Sequence, residues 1–202
     1  ERLNLAKKFV ESGCISAGYS LESGSDEILK AMNKKVKSKY FKEQVHICRE
    51  AGLITNTSLV MGYPQETSET IKETMTQLEK LKVYPSTGFL LPLPETGMFK
   101  YAVENGYIKD IDHYLTQITE RQDFSLNLTK MKEEDLKAET VKWLERLNKT
   151  FGNSLSKAKL LKTGGYDTHS KHQNTKERFD KVDRNKTNRE TLNYATQEGT
   201  LR

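Results

Sequence analysis

The sequence predicts an α/β fold with parallel strands. Three observations carry that prediction. Short apolar runs of strand length alternate with segments whose apolar residues recur at spacings of three and four. Each run stops at a turn rich in glycine or proline. A residue able to cap a helix precedes several of the helical segments, among them Ser25, Ser38 and Thr96. The resulting order is helix, strand, helix, strand, helix, strand, helix, which implies parallel strands joined by right-handed crossovers.

The elements follow in chain order. Leu3, Leu5, Phe9 and Val10 form a short helical face that Gly13 stops. Residues 14–21 are expected to be a buried strand. Ser25 is the expected N-cap of a helix over 26–33, with Asp26 and Glu27 in the first turn where the helix dipole favours anions. Ser38 is expected to cap the next helix, whose apolar face is Phe41, Val45 and Cys48 and which Gly52 ends. Residues 53–61 form the second strand, broken by Gly62-Tyr63-Pro64. A helix over 67–82 carries the stripe Ile71, Met75, Leu78. The third strand is placed at 87–91 and ends at Pro92, and Thr96 caps a helix over 97–105.

From Asp110 the pattern changes. A short helix is expected at 110–115, then irregular chain from Arg121 to Leu128. Thr129 precedes a long helix with the inward-facing stripe Leu136, Thr140, Trp143, Leu144, Leu147 and Phe151, where Trp143 is expected to anchor the helix to the rest of the domain. Beyond Gly164-Gly165 the chain is rich in Lys, Asn, Thr and Gln without apolar period, and is expected to be disordered. The expected organisation is therefore an α/β part over 1–108, a helical extension over 109–163 and a basic tail over 164–202.

Composition narrows the function. The chain has 33 Lys+Arg and 28 Asp+Glu. Residues 152–202 hold 11 and 6 of these, so residues 1–151 hold 22 and 22 and are neutral. The pI near 9.0 belongs to the tail. Without interleaved aromatics, the tail is read as a solvated end, and no clear nucleic-acid site is expected. The two cysteines, Cys14 and Cys48, are too few and too far apart for a disulfide framework or a metal set. They fit a reducing, cytoplasmic setting. His46, His113, His169 and His172 are scattered, and no metal site is expected. No apolar run approaches the ~20 residues of a membrane span. The chain opens in mid-element without Met and is expected to be a fragment.

Two strand-to-helix junctions carry the chemistry, because ligands of α/β proteins bind at strand ends. The first is Tyr19-Ser-Leu-Glu22-Ser23-Gly24-Ser25-Asp26. Glu22 can accept bonds from an ammonium or from ribose hydroxyls, Gly24 allows close backbone approach, and Lys34 can hold a carboxylate. A ligand with an amino and a carboxyl group suits the pair. At the second junction, Ser58, Val60 and Gly62 share one strand face by period two and suit a ribose and a flat base. Taken singly, each junction is equally well a plain turn: Glu22 can pair with a lysine, Ser25 can serve only as a cap, and Pro64 can merely end a strand. Tyr19 and Tyr63 are expected in core or rim positions.

Together the motifs are specific. Glu22-Ser-Gly-Ser-Asp-Glu-Ile-Leu-Lys-Ala-Met-Asn-Lys34, Ala51-Gly52, Gly62-Tyr-Pro-Gln-Glu-Thr67 and Leu91-Pro-Leu-Pro-Glu-Thr96 closely resemble the second half of the radical S-adenosylmethionine (SAM) barrel, nearest its cobalamin-binding-type branch. The resemblance covers roughly residues 1–151. It implies a partial, TIM-like (β/α)6 barrel of which this chain holds the last three parallel strands, followed by the helical extension. By position, it implies that Glu22 and Ser23, with Gly24 between them and the helix, meet the methionine amino group or ribose. Lys34 would hold the methionine carboxylate and Ser58 contact ribose. Val60, Gly62 and backbone at Leu91 would line adenine. The family reduces SAM at a [4Fe-4S] cluster to a 5′-deoxyadenosyl radical that abstracts hydrogen from substrate, with methylation where cobalamin binds. The cluster's Cys-x3-Cys-x2-Cys is not in this chain, nor is a cobalamin domain, so the expected partners are the N-terminal half of the same polypeptide and a substrate not readable from the sequence. Gln65 and Glu95 stand where relatives have glycine, which the turns tolerate if they avoid positive φ. A methylthiotransferase acting on RNA or protein shares similar turns, but its usual next domain is a small β-barrel, whereas the region after Asp110 reads as helical. A non-catalytic α/β binding module is the remaining alternative.

Overall fold

A computed structural model describes residues 1–118 and 123–161. The expected disordered tail, His169, His172 and the start of the irregular segment at Arg121 lie outside the described residues. The elements are α1 (Arg2–Glu11), β1 (Ser16–Glu22), α2 (Asp26–Ala31), α3 (Ser38–Ala51), β2 (Ile54–Met61), α4 (Ser68–Leu81), β3 (Pro85–Phe89), α5 (Gly97–Glu104), α6 (Ile111–Gln117) and α7 (Glu133–Thr150), with a short 3-10 turn at Lys157–Lys159. The strands form one sheet in the order β1-β2-β3, parallel throughout. The alternating helix–strand pattern is thus realised as the three-stranded parallel α/β unit expected of part of a TIM-like barrel.

Burial along β2 alternates because the sheet has two unlike faces. Thr57, Leu59 and Met61 point to the helices and are buried, while Asn56, Ser58 and Val60 remain half-exposed on the other face. Against the helix side pack Phe41 and Val45 of α3 and the whole expected stripe Ile71, Met75 and Leu78 of α4. Each such side chain, fully buried, contributes about 2 kcal/mol. The extension closes the same core: Leu136, Leu144 and Leu147 of α7 are fully buried, and Trp143 packs against the cluster as an anchor. Asn127 organises the lead-in to α7, accepting from the Thr129 N–H at 2.9 Å and donating to the Met131 carbonyl at 2.7 Å.

Several local expectations change. Ser38 does not cap α3; it is the first helical residue, and its N–H donates to Asp26 Oδ1 at 2.7 Å. The cap is supplied from twelve residues back because the first residue of α2, Asp26, lies beside the start of α3. Ser25 occupies the N-cap of α2 with no side-chain bond. Thr67 and Thr70, by contrast, form a reciprocal capping box on α4. The third strand begins two residues earlier than expected, at Pro85, whose missing N–H is harmless at a strand start. Leu91 therefore lies beyond the strand, one residue after the Leu90 N–H that donates to the Met61 carbonyl at 2.7 Å. Glu95 adopts φ 65°, so this turn keeps the backbone shape that glycine serves elsewhere and carries it with a side chain, whereas Gln65 avoids positive φ.

Candidate functional site

The half-exposed face of the sheet is the side on which a ligand can lie. Parallel register sets Ser20, Ser58 and Ser86 in one row across the three strands, with Val60 beside Gly88 one step toward the strand ends. In contrast to the apolar layer beneath the helices, this face is lined by small and hydroxyl-bearing residues.

The first junction is shaped by a β-bulge. The β1–β2 register shifts between Ser20 and Glu22. Thr57 on β2 mends the broken ladder: its hydroxyl donates to the Tyr19 carbonyl at 3.0 Å and accepts from the Leu21 N–H at 3.3 Å. A bulge re-aims the residue that follows it. That residue is Glu22, which sits at φ 65°. Its carboxylate accepts a hydrogen bond from Lys34 Nζ at 3.2 Å, with 17% of the Glu22 and 39% of the Lys34 side chain exposed. This pairing also satisfies the plain reading of the junction, in which Glu22 meets a lysine. Magnitudes separate the two readings. A left-handed backbone at a non-glycine residue costs about 1–2 kcal/mol, and a solvent-accessible ion pair contributes about 0–1 kcal/mol. The pair alone does not offset the backbone that presents it.

Ser23 and Gly24 are turned inward. Ser23 is buried, its hydroxyl 3.1 Å from Thr74 Oγ1 and accepting from the Ser25 N–H. The Gly24 N–H donates to Thr74 Oγ1 at 2.9 Å, and a Cβ on Gly24 would lie 2.7 Å from Thr74 Cα. Both residues join the junction to α4 and set where Glu22 stands. Tyr19 is likewise a core residue, edge-on to Phe41 at 5.8 Å with its hydroxyl 3.2 Å from Cys48 Sγ.

At the second junction, Gly62 has φ 94°, and a Cβ there would lie 3.6 Å from Leu136 Cδ2 and 4.0 Å from Phe124 Cε2. A side chain would therefore make only ordinary contacts there, and it is the left-handed backbone of the turn that calls for glycine. The turn is held from inside by Glu66, which sequence reasoning did not single out. Glu66 is 2% exposed. Its Oε1 accepts from Thr70 Oγ1 at 2.5 Å and its Oε2 from the Gly62 N–H at 3.4 Å. Burial pushes its carboxyl up to about 7, against the opposing pull of the Thr70 and Gly62 hydrogen bonds. Thr57 and Thr74 share a signal in the sequence, a polar residue at a position where the period demands an apolar one, whereas Glu66 lies in a turn outside any period.

The structure therefore brings Glu22 and Lys34 together at the end of β1 and sets Ser58 and Val60 on the adjacent open face. Ser23, Gly24 and Gly62 form the packing beneath, and Leu91 stands past the end of β3. A zwitterion fits this arrangement: its ammonium can replace Lys34 at the Glu22 carboxylate, and its carboxylate can replace Glu22 at Lys34 Nζ. Ser58 offers a hydroxyl partner for a sugar, and Val60 a flat apolar contact. An iron–sulfur cluster does not fit the cysteines present. Cys48 is buried against Tyr19, Cys14 donates to the Ser16 carbonyl at 3.3 Å, and two separated thiols cannot replace three clustered thiolates. Among the described residues no group of His, Cys, Asp or Glu is arranged to hold a metal, and no helix is long and apolar enough to cross a membrane.

Residues 2–78 match the family model described as the radical SAM superfamily. An uncharacterized methyltransferase of Pyrococcus horikoshii is 29% identical over 105 residues, covering 52% of this chain and 23% of the relative. A tRNA-2-methylthio-N(6)-dimethylallyladenosine synthase of Desulfosudis oleivorans is 32% identical over 71 residues, 34% of this chain and 15% of the relative. One from Oceanobacillus iheyensis is 40% identical over 63 residues, 30% of this chain and 12% of the relative. The matched stretches span less than a quarter of the length of each of these relatives.

Proposed function

We infer, from the premise that this chain belongs to the radical SAM superfamily, that it is the SAM-holding portion of a radical SAM enzyme. The observation that carries this reading is the Glu22–Lys34 pair, set at 3.2 Å on a bulged strand end at positive φ. In this reading Glu22 receives the methionine ammonium and Lys34 its carboxylate. Ser58 bonds ribose, and Val60 and the backbone near Leu91 flank adenine. Ser23, Gly24 and Gly62 keep those groups in place from below. A [4Fe-4S] cluster would be held by thiolates outside this chain, on segments that would pair with the open edge of β1. Such a cluster would supply the electron for reductive cleavage of SAM, and this chain's residues would hold the SAM in place. The cytoplasmic setting belongs to the same reading.

For the reaction outcome we favour methyl transfer, supported by the relative named a methyltransferase, which aligns over the longest stretch of the three. Cobalamin, held on a separate domain, is the carrier that this outcome proposes. Methylthio transfer is the second reading, supported by the relatives named tRNA methylthio-adenosine synthases. The enzyme reading is tested by the iron and sulfide content of the intact polypeptide after anaerobic reconstitution. About four of each per chain is expected. Content near zero, with SAM unbound, contradicts it and leaves a non-catalytic binding module.

A further inference from the structure

On the helix side of the sheet, away from the open face, α4 and α7 enclose a groove of about 900 Å³. Its walls carry Lys72 on α4, Lys130 and Lys132 on the lead-in to α7, and Lys142 and Arg146 on α7. The half-buried indole of Trp143 lies among them. Asp135 and Glu139 are the acidic residues of the lining, which therefore has two carboxylates against five cations. That is a local excess on a part of the chain that is neutral as a whole over residues 1–151.

The cations are not equivalent. Arg146 is held in a two-pronged bond to Glu79, at 2.8 Å for both contacts, and lies 5.0 Å from the centre of the Trp143 ring. Lys72 sits 3.7 Å from Glu69. Glu139 accepts from the Ser68 hydroxyl at 2.6 Å. Lys130, Lys132 and Lys142 are exposed and have no ion-pair partner among the described residues. Three free ammonium groups around a braced indole are the two ingredients of single-strand nucleic-acid recognition, a cationic track for phosphates and an aromatic surface for a base. None of the exposed large hydrophobic residues lines the groove, so it has no apolar rim to enter a lipid surface. An acidic peptide would use the charge and leave the indole without a role.

We propose that the groove between α4 and α7 binds a single nucleic-acid strand. This does not depend on how the open face is read. It also departs from the expectation of no nucleic-acid site, because the groove joins residues of two helices some 70 positions apart.

Trp143 is the one tryptophan of the chain, so its fluorescence reports on this groove and not on the basic tail. The test titrates the full chain with a 12-nucleotide oligoadenylate RNA at 50 and 200 mM KCl, and in parallel with polyglutamate and with vesicles containing phosphatidylserine. The RNA is expected to quench Trp143, and its affinity to fall about 20-fold between the two salt concentrations, as three displaced counterions require. Replacing Lys130, Lys132 and Lys142 together by glutamate is expected to weaken binding at least tenfold with an unchanged unfolding midpoint. If that variant unfolds, the triple glutamine variant is held to the same tenfold loss. RNA binding that leaves Trp143 unquenched, or that survives the triple substitution, overturns the proposal. So does equal quenching by polyglutamate or by vesicles.

Discussion

Gly24→Ala is expected to lower stability by about 3 kcal/mol, the upper range for forcing a methyl group into a packed core. The new Cβ meets Thr74 Cα at 2.7 Å, and that atom is helix backbone, which cannot rotate away. α4 must shift, stretching the 2.9 Å bond from the Gly24 N–H and the 3.1 Å contact of Ser23 with Thr74 Oγ1. For a folded part of about this size, the loss corresponds to roughly 10 °C in Tm. Thermal unfolding followed by circular dichroism measures it. A variant within 1 °C of the parent would show that the junction is not wedged against α4. The expected effect is large because Gly24 has no positive φ to explain it, leaving close approach as its whole requirement.

The second large effect is a pH dependence. The Glu66 carboxyl titrates near 7 in the folded chain against 4.5 for the ordinary group. Between those values the folded chain binds the proton that the unfolded chain has released. The stabilising contribution of protonated Glu66 is therefore full below about pH 4.5 and is lost as pH rises through about 7. Each unit of the difference corresponds to about 1.4 kcal/mol. Glu66→Gln cannot titrate, so its stability relative to the parent is expected to improve by roughly 2–3 kcal/mol between pH 5 and pH 8. Glu66→Ala loses the partners of Thr70 Oγ1 and the Gly62 N–H and is expected to be destabilised at pH 5 by about 2 kcal/mol. Urea unfolding of the three proteins at the two pH values decides this. Parallel curves for parent and Glu66→Gln would mean that Glu66 stays ionised, and that the turn is held as a charged site.

The parts of the fold that were legible in the sequence are those governed by local period. Leu59 and Met61 alternate with Ser58 and Val60, and Ile71, Met75 and Leu78 recur every turn, so the strands and helices followed directly. The departures are tertiary. The cap of α3 comes from Asp26, which no local rule connects to Ser38. The start of β3 is set by pairing of Pro85 with Thr57, not by the composition of residues 87–91. At the candidate site, residue types were legible and depth was not. Ser23 and Gly24 look like ligand groups in a polar turn, yet they face α4. The bulge before Glu22 depends on a threonine hydroxyl from a strand 36 residues away. Glu66 reads as the polar lead-in to a capped helix, and only the packing of residues around it reveals a buried acid. The groove beside Trp143 needed the pairing of α4 with α7.

Glu22, presented by the bulge and facing Lys34, is proposed to hold the ammonium end of SAM. The most direct test is 5′-deoxyadenosine formation by the intact, cluster-loaded enzyme carrying Glu22→Ala, with iron content measured on the same sample. Loss of 5′-deoxyadenosine is expected, with the cluster retained at the parental level. Unchanged turnover in that variant would contradict it and leave Glu22 as the partner of Lys34 alone.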